Sequence, residues 1–305
     1  MKNWRYIVYA VVIVLAISLP FYTGAYHQHV ATTILMFLTL ALSWDMLIRA
    51  GQLSFGIAGF FGVGGYAAAI TYLNWDISPF LSIALGGLAA FVIALVLGFA
   101  VLRLRGMYFA ITTLALAEIF RVIVRNWSSL TGGPEGMVLP STIFGGDSAQ
   151  IYWLLLAIAI ATIIVSEVFQ RTRIHFALTS IRNNETVAKA SGVDIFKYLV
   201  LAFAITSAIQ GIVGGAYAQI YGFVSPEGSF HLDFTLLPLA MALLGGMYST
   251  PGPVVGGLVL GIVAEYLKLQ IPYGHLLVYG VIIVVVILFM PKGIVGTIRE
   301  RLQRR

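Results

Sequence analysis

Residues 171 to 197 read RTRIHFALTSIRNNETVAKASGVDIFK, the longest part of this chain of 305 residues that cannot sit in lipid. Five cations (Arg171, Arg173, Arg182, Lys189, Lys197) stand against two anions (Glu185, Asp194). Lys and Arg accumulate in the cytoplasmic loops of membrane proteins, so this stretch reads as an internal cytoplasmic loop. It is where the protein is expected to meet whatever it contacts in the cytoplasm.

Away from this loop the chain is apolar. Hydrophobic residues make up 60% of it and charged residues 10%, and the mean hydropathy is +0.95, well outside the range of a soluble domain. Apolar runs near the ~20 residues that cross a hydrocarbon core recur along its whole length. The expectation is an all-α polytopic transmembrane helical bundle, a single domain over residues 1–305. With no cysteine, disulfides, thiolate metal sites and cysteine nucleophiles are excluded. The net charge of +6 follows the membrane sides and does not point to nucleic acid. Lys2 and Arg5 before the apolar run from Tyr6 to Leu19 could mimic a signal peptide; no small-x-small cleavage site is evident and further spans follow, so the run reads as a first membrane helix.

Turn residues and charges place membrane segments at 6–24, 30–48, 53–73, 78–102, 106–127, 151–170, 198–222, 234–248, 252–270 and 274–290, about ten in all. With the N-terminus inside, 15 of the 18 Lys and Arg residues fall on the cytoplasmic side, the exceptions being Arg121, Arg125 and Lys268. Both termini and the loop 171–197 are therefore expected in the cytoplasm, and the loop 128–150 outside. Two places are rich in glycine and proline: Ala50-Gly51-Gln52-Leu53-Ser54-Phe55-Gly56, and Leu244 to Pro253, which follows a segment (234–248) short for a full crossing. Each is either a tight surface turn or a break inside the membrane, which is tolerated only where protein or a water-filled cavity satisfies the backbone. One such break in each half is a weak sign of duplicated transporter architecture.

Among the charged residues, Glu118, Arg121 and Arg125 share a helix face, and an ion pair near the outer end of that helix is expected, with a place on a translocation path as the alternative for Glu118. Glu265 and Lys268 repeat the spacing, and Asp45 and Arg49 form an i, i+4 pair suited to anchoring the second segment. Gln52, Ser54, Tyr108, Thr112 and Thr113 put amide and hydroxyl groups in apolar segments. Such groups either line a polar path or bond to their own helix backbone. The outer loop holds Leu130-Thr131-Gly132-Gly133-Pro134-Glu135-Gly136, whose glycines suit a sharply turned loop that either docks an external partner or only connects. His27 with His29, and His231 with Asp233, lack metal-site company. No catalytic constellation is present, and no G-x-x-x-x-G-K-[ST] loop occurs, so ATP would have to be handled by another polypeptide.

Four segments together resemble one family. Leu47-Ile48-Arg49-Ala50-Gly51-Gln52-Leu53-Ser54-Phe55-Gly56 with Phe60-Phe61-Gly62-Val63-Gly64-Gly65-Tyr66 is similar to the A-G-Q-L-S-x-G…F-F-G-x-G-A-Y signature of branched-chain amino acid ABC importer permeases. Gly106 to Glu118 resembles their G-x-Y-F-A-x-x-T-L-A-x-A-E, Leu130 to Gly136 their L-T-G-G-x-x-G, and Ile181 to Val193 their I-R-E-N-E-x-A-A…x-G-x coupling segment. Two positions depart: Asn183 stands where the family has Glu, and Thr186-Val187-Ala188 replaces Ala-Ala. The resemblance is to the LivM-type membrane subunit of such importers. It implies a second, LivH-type permease, two cytoplasmic ATP-binding subunits, an extracytoplasmic solute-binding protein and the bilayer of a bacterial or archaeal cell (inner) membrane as partners, with no cofactor, metal or nucleic acid.

On this reading the chain is a permease and not an enzyme, and a helix around Ile181 to Gly192 lies in a groove on an ATPase. Arg182, Asn183 and Glu185 supply its polar contacts, and Ala188 and Gly192 allow close approach. Gln52, Ser54, Tyr108, Thr112, Thr113 and Glu118 are the translocation-path set. The solute is expected to be a branched-chain amino acid, with urea, amides or another small solute as alternatives within the family. An ion-coupled secondary transporter working without ATPases is the competing class, resting on the broken helices and Glu118; an intramembrane enzyme is disfavoured because no acid, base and nucleophile converge.

Overall fold

The computed structural model describes residues 16–270, 275–289 and 292–303. Most of the expected first span, both chain ends and residues 271–274 lie outside the described residues, as do the side chains of Lys268 and Arg299. The helices are α1 (Ala25–Ile48), α2 (Ile57–Trp75), α3 (Pro79–Val101), α4 (Met107–Asn126), α5 (Ser148–Arg171), α6 (Arg173–Asn183), α7 (Glu185–Ala190), α8 (Ile195–Tyr221), α9 (Asp233–Gly245), α10 (Pro251–Gln270), α11 (His275–Phe289) and α12 (Gly293–Gln303). The protein is an all-α helical bundle. Six stretches are long and apolar enough to cross a membrane by length and composition: α1, α3, α4, α5, α8 and Pro226–Gly245, which joins a short turn to α9. The sequence count of about ten also includes α2, α10 and α11, which are not among these six, and the first segment.

Helix starts follow local chemistry. Ser78 caps α3 by accepting from the Leu81 N–H at 3.4 Å, with Pro79 in the first turn. Asp147 accepts from the Ala149 N–H at 2.9 Å to start α5, and Asp194 accepts from the Lys197 N–H at 3.1 Å to start α8. The one sheet among the described residues is a two-residue pair: Met137–Val138 runs antiparallel to Phe223–Val224, tying the 128–150 loop to the end of α8. Because α5 runs from that loop to Arg171, the loop and the basic segment lie at opposite ends of the bundle.

The packing explains which helices are central. In α1, 89% of the apolar window is buried, against 28% in α4, so α1 is surrounded by protein. α4 shows Met107, Tyr108, Ile111, Ile119 and Val122 on its outside. A helix apolar all round belongs in the core of a bundle, and apolar side chains left outside one suit lipid or a partner. The middle of α8 meets α2 and α3 at glycines: a Cβ at Gly64 would collide with the Gly211 backbone, and one at Gly214 with the Phe61 carbonyl. These contacts bring backbones together in the way small residues do in membrane interiors.

Of the two Gly/Pro-rich places the first is largely buried by the fold, while the second is half-buried with Tyr248 exposed. Along 49–56 most residues are buried, and the loose backbone is held by side chains from elsewhere. Trp44 Nε1 donates to the Ser54 carbonyl at 2.9 Å, Thr113 Oγ1 accepts from the Phe55 N–H at 3.0 Å, and Thr235 Oγ1 accepts from the Ala58 N–H at 3.1 Å. The second break, 246–250, folds α10 back on α9; glycines 245, 252 and 256 leave room for the two backbones to touch. Irregular backbone satisfied by protein rather than solvent is what a membrane interior requires.

Candidate functional site

The segment 171–197 does not form one helix across 181–192. It forms α6 and α7, separated at Asn184, whose extended backbone ends α6 and whose side chain accepts from the Val187 N–H at 3.1 Å to cap α7. The paired Asn183-Asn184 explains the division, since Asn competes with helix by bonding to nearby backbone and favours caps. The five residues expected to serve coupling separate accordingly. Asn183 is exposed; Glu185 forms an ion pair of 2.5 Å with Arg105 of the loop between α3 and α4; Ala188 is buried against the rest of the bundle. Gly192 ends α7 in a left-handed conformation (φ +79°) with open space where a Cβ would go. Arg182 is turned inward, its stem over Gly51 and its guanidinium over the ring of Tyr248, 4.0 Å from the centroid. It therefore touches both breaks. The outward surface of the pair carries large apolar side chains instead: Phe176 is 71% exposed and Val187 59%.

Tyr248 leads to a buried polar cluster. Its backbone N–H donates to Asp45 Oδ1 at 2.6 Å, and Asp45 Oδ2 accepts from Arg49 Nη2 at 2.7 Å and Nε at 2.9 Å. Arg49 also donates through Nη1 to the Ser166 carbonyl at 3.1 Å and through Nη2 to Ser166 Oγ at 2.8 Å. The Ser166 hydroxyl is 2.8 Å from that of Thr250, which donates to Gln170 Oε1 at 3.3 Å. The Asp45 and Arg49 side chains are 0% and 3% exposed; such a pair is tolerable only with its remaining donors and acceptors met, as here. The ends of α1 and α5 and the second break are thus joined in one network, next to Arg182.

The translocation-path residues are not brought together. Ser54 and Thr113 meet at the first break: Ser54 Oγ accepts from the Gly56 N–H at 3.1 Å, and Thr113 Oγ1 donates to the Ala110 carbonyl at 2.9 Å while accepting from Phe55. Gln52 is buried beside them, its Oε1 without a partner among the described residues. Tyr108 and Glu118 lie exposed on α4 and Thr112 is half-buried there. Glu118 pairs with Arg121 at 2.6 Å as expected, but Arg125 reaches across to Glu227 at 3.5 Å, because the Ser225–Gly228 turn packs beside the end of α4. Sequence reasoning found Asp45 and Arg49 and missed Ser166, Gln170, Tyr248 and Thr250. Its available signal was Ser166 and Gln170 one turn apart on an apolar helix.

Comparison with known proteins is consistent along most of the chain. High-affinity branched-chain amino acid transport system permease protein LivM of Escherichia coli (strain K12) is 27% identical over 95% of this chain and 75% of its own. The LivM counterpart described as probable in Methanocaldococcus jannaschii is 27% identical over 82% of this chain and 80% of its own. The LivH permease protein of Escherichia coli (strain K12) is 28% identical over 84% of this chain and 90% of its own. No solved structure matches. The family model described as branched-chain amino acid transport system / permease component matches residues 26–287, which include both breaks, the buried ion pair and α6–α7. The chain is a multi-pass membrane protein and belongs to the branched-chain amino acid transport permease family.

Proposed function

We propose that this chain is the LivM-type permease subunit of an ABC importer that passes branched-chain amino acids across the cell membrane by alternating access. A LivH-type permease, two ATP-binding subunits and a solute-binding protein complete the assembly, the ATP-binding subunits meeting the 171–197 loop in the cytoplasm and the binding protein the 128–150 loop outside. Both termini are cytoplasmic, and residues 1–305 form one permease domain. The likeness to LivM over 95% of the chain, against 84% for LivH, supports the subunit assignment.

One observation carries the mechanism: Arg182 of the loop rests on Tyr248 and Gly51, one residue from each break. Closure of the ATPase dimer displaces α6–α7, whose exposed Phe176 and Val187 seat in a groove on the ATPase. The displacement reaches both breaks at once through Arg182, and the two halves of the bundle rock about them. Asn183 and Gly192 stand on the exposed side of the pair, while Glu185 holds α7 to Arg105. Ser54, Thr113 and Gln52 lie at the break that moves.

The test is ATP-driven leucine uptake by the complex reconstituted with its partner subunits. Glu185→Arg or Gly192→Lys is expected to abolish uptake while the complex still assembles in the membrane. Unchanged uptake in both, or wild-type uptake that follows a proton or sodium gradient without ATP, overturns the reading.

A further inference from the structure

At the end of the bundle opposite α6–α7, a cleft of about 310 Å³ opens between α1, α8 and the start of α9. This is within the ~300–1,000 Å³ range of small-molecule sites. Its two sides differ in chemistry. Phe37 and Phe234 are buried, 5% and 7% exposed, and stacked at 5.7 Å between centroids. Phe234 also stacks on Phe61 at 4.0 Å and meets Tyr217 edge-on at 5.5 Å. These rings close the bottom of the cleft with a flat apolar surface. The other side is polar: the Thr33 hydroxyl, the phenols of Tyr217 and Tyr221, and the Asp233 carboxylate with His231 beside it, Nδ1 3.4 Å from Oδ2.

The sequence arranges this from separate elements. The turn Pro226–Ser229 and the chain after it carry His231 and Asp233 to the start of α9, which begins level with Phe37, midway along α1, and not level with the end of α1. A helix of 13 residues is too short to cross a membrane alone, and its late start is what leaves the cleft. Directly behind the aromatic floor, Thr235 of α9 accepts from the Ala58 N–H at the start of α2 at 3.1 Å and donates to the Phe55 carbonyl of the first break at 3.5 Å. The floor is thus attached to the segment that Arg182 touches from the other end.

We infer that this cleft is a binding site for a small amino acid with an aliphatic side chain, its ammonium on the Asp233 carboxylate, its carboxylate on the Tyr221 hydroxyl, and its side chain against Phe37 and Phe234. A cleft that was apolar throughout would leave a zwitterion unpaired, at a cost of several kcal/mol for each buried charge. A wholly polar one would gain nothing from an isobutyl group. The division into one carboxylate, hydroxyls and stacked rings suits a solute with both parts. The inference rests on the importer reading and locates where the solute is held before the bundle rocks.

The experiment uses the assembled complex in proteoliposomes. The chain lacks cysteine, so His231→Cys places one thiol on the rim, and Gly228→Cys, exposed on the same lining, serves as a second if the first does not assemble. L-leucine is expected to slow thiol modification by a small methanethiosulfonate at least threefold. Glycine, and 4-methylpentanoate, which lacks the ammonium, should not, and Asp233→Asn should remove the protection. Equal modification rates with and without L-leucine overturn the site, as does equal protection by 4-methylpentanoate. Leucine uptake by the wild-type complex separates the two failures: if uptake occurs without protection, the site is wrong and the importer reading stands; if wild-type uptake is absent, the importer reading falls.

Discussion

The guanidinium of Arg182 lies 4.0 Å from the centre of the Tyr248 ring, while the backbone N–H of the same tyrosine donates to Asp45 at 2.6 Å. One residue thus faces the loop helices with its side chain and the buried ion pair with its main chain. Tyr248 has φ +65°, a conformation that costs a non-glycine residue ~1–3 kcal/mol.

Tyr248→Gly separates those two roles. Glycine adopts the same backbone freely and keeps the N–H for Asp45, but it loses a cation–π contact of ~0.5–2 kcal/mol. The expected outcome is unchanged or raised thermal stability of the purified complex together with less leucine transported per ATP hydrolysed. Tyr248→Phe, which keeps a ring, should keep the wild-type ratio. A wild-type ratio in Tyr248→Gly would show that the contact does not transmit motion.

Arg49→Ala leaves Asp45 buried and unpaired. Breaking one side of such a pair costs ~3–5 kcal/mol, so the melting temperature in detergent should fall sharply or the protein fail to accumulate. The double change Asp45→Leu with Arg49→Met should recover much of the loss. A double variant as unstable as the single one would mean that the network with Ser166 and Thr250 matters more than charge balance.

Thr113 holds the first break through one hydroxyl, which accepts the Phe55 N–H at 3.0 Å, and among the described residues no other group accepts it. Thr113→Val keeps the shape and strands that N–H, at ~1–3 kcal/mol. Thr113→Ser should retain stability. Faster hydrogen exchange across residues 50–58 in the valine variant alone is the expected signature.

Orientation is accessible because the chain has no cysteine of its own. Val138→Cys, exposed in the 128–150 loop, should react with an impermeant maleimide in intact cells. Lys189→Cys, exposed on α7, should react only after lysis. The opposite pattern would invert the assigned topology.

Much of the fold was legible because apolar length and Lys/Arg distribution report directly on membrane crossing. The segments at 78–102 and 106–127 match α3 and α4 to within a residue at each end, since Ser78-Pro79 and Gly106 mark the starts. The segment 53–73 began too early, because hydropathy does not register that Ser54 and Phe55 spend their backbone groups on Trp44 and Thr113 instead of on a helix. The inward turn of Arg182 was likewise hidden: a cation in a polar loop looks solvated until the ring that receives it, 66 positions later in the chain, is placed beside it. Ser166 and Thr250 are ordinary hydroxyls by sequence, and only the meeting of α1, α5 and the second break makes them ligands of Arg49.

The polar cluster also bears on how the protein is made. Arg49 bonds to Ser166, 117 positions later, and to Thr250, 201 positions later. During synthesis α1 must therefore enter the bilayer long before those hydroxyls exist. In that interval Asp45 and Arg49, one helical turn apart, have each other, and an adjacent neutralised pair lowers the charge cost that would otherwise oppose insertion of that helix. The later hydroxyls and the Tyr248 N–H then lock a segment that has waited half-satisfied, so the cluster closes only when the last of its elements is in place.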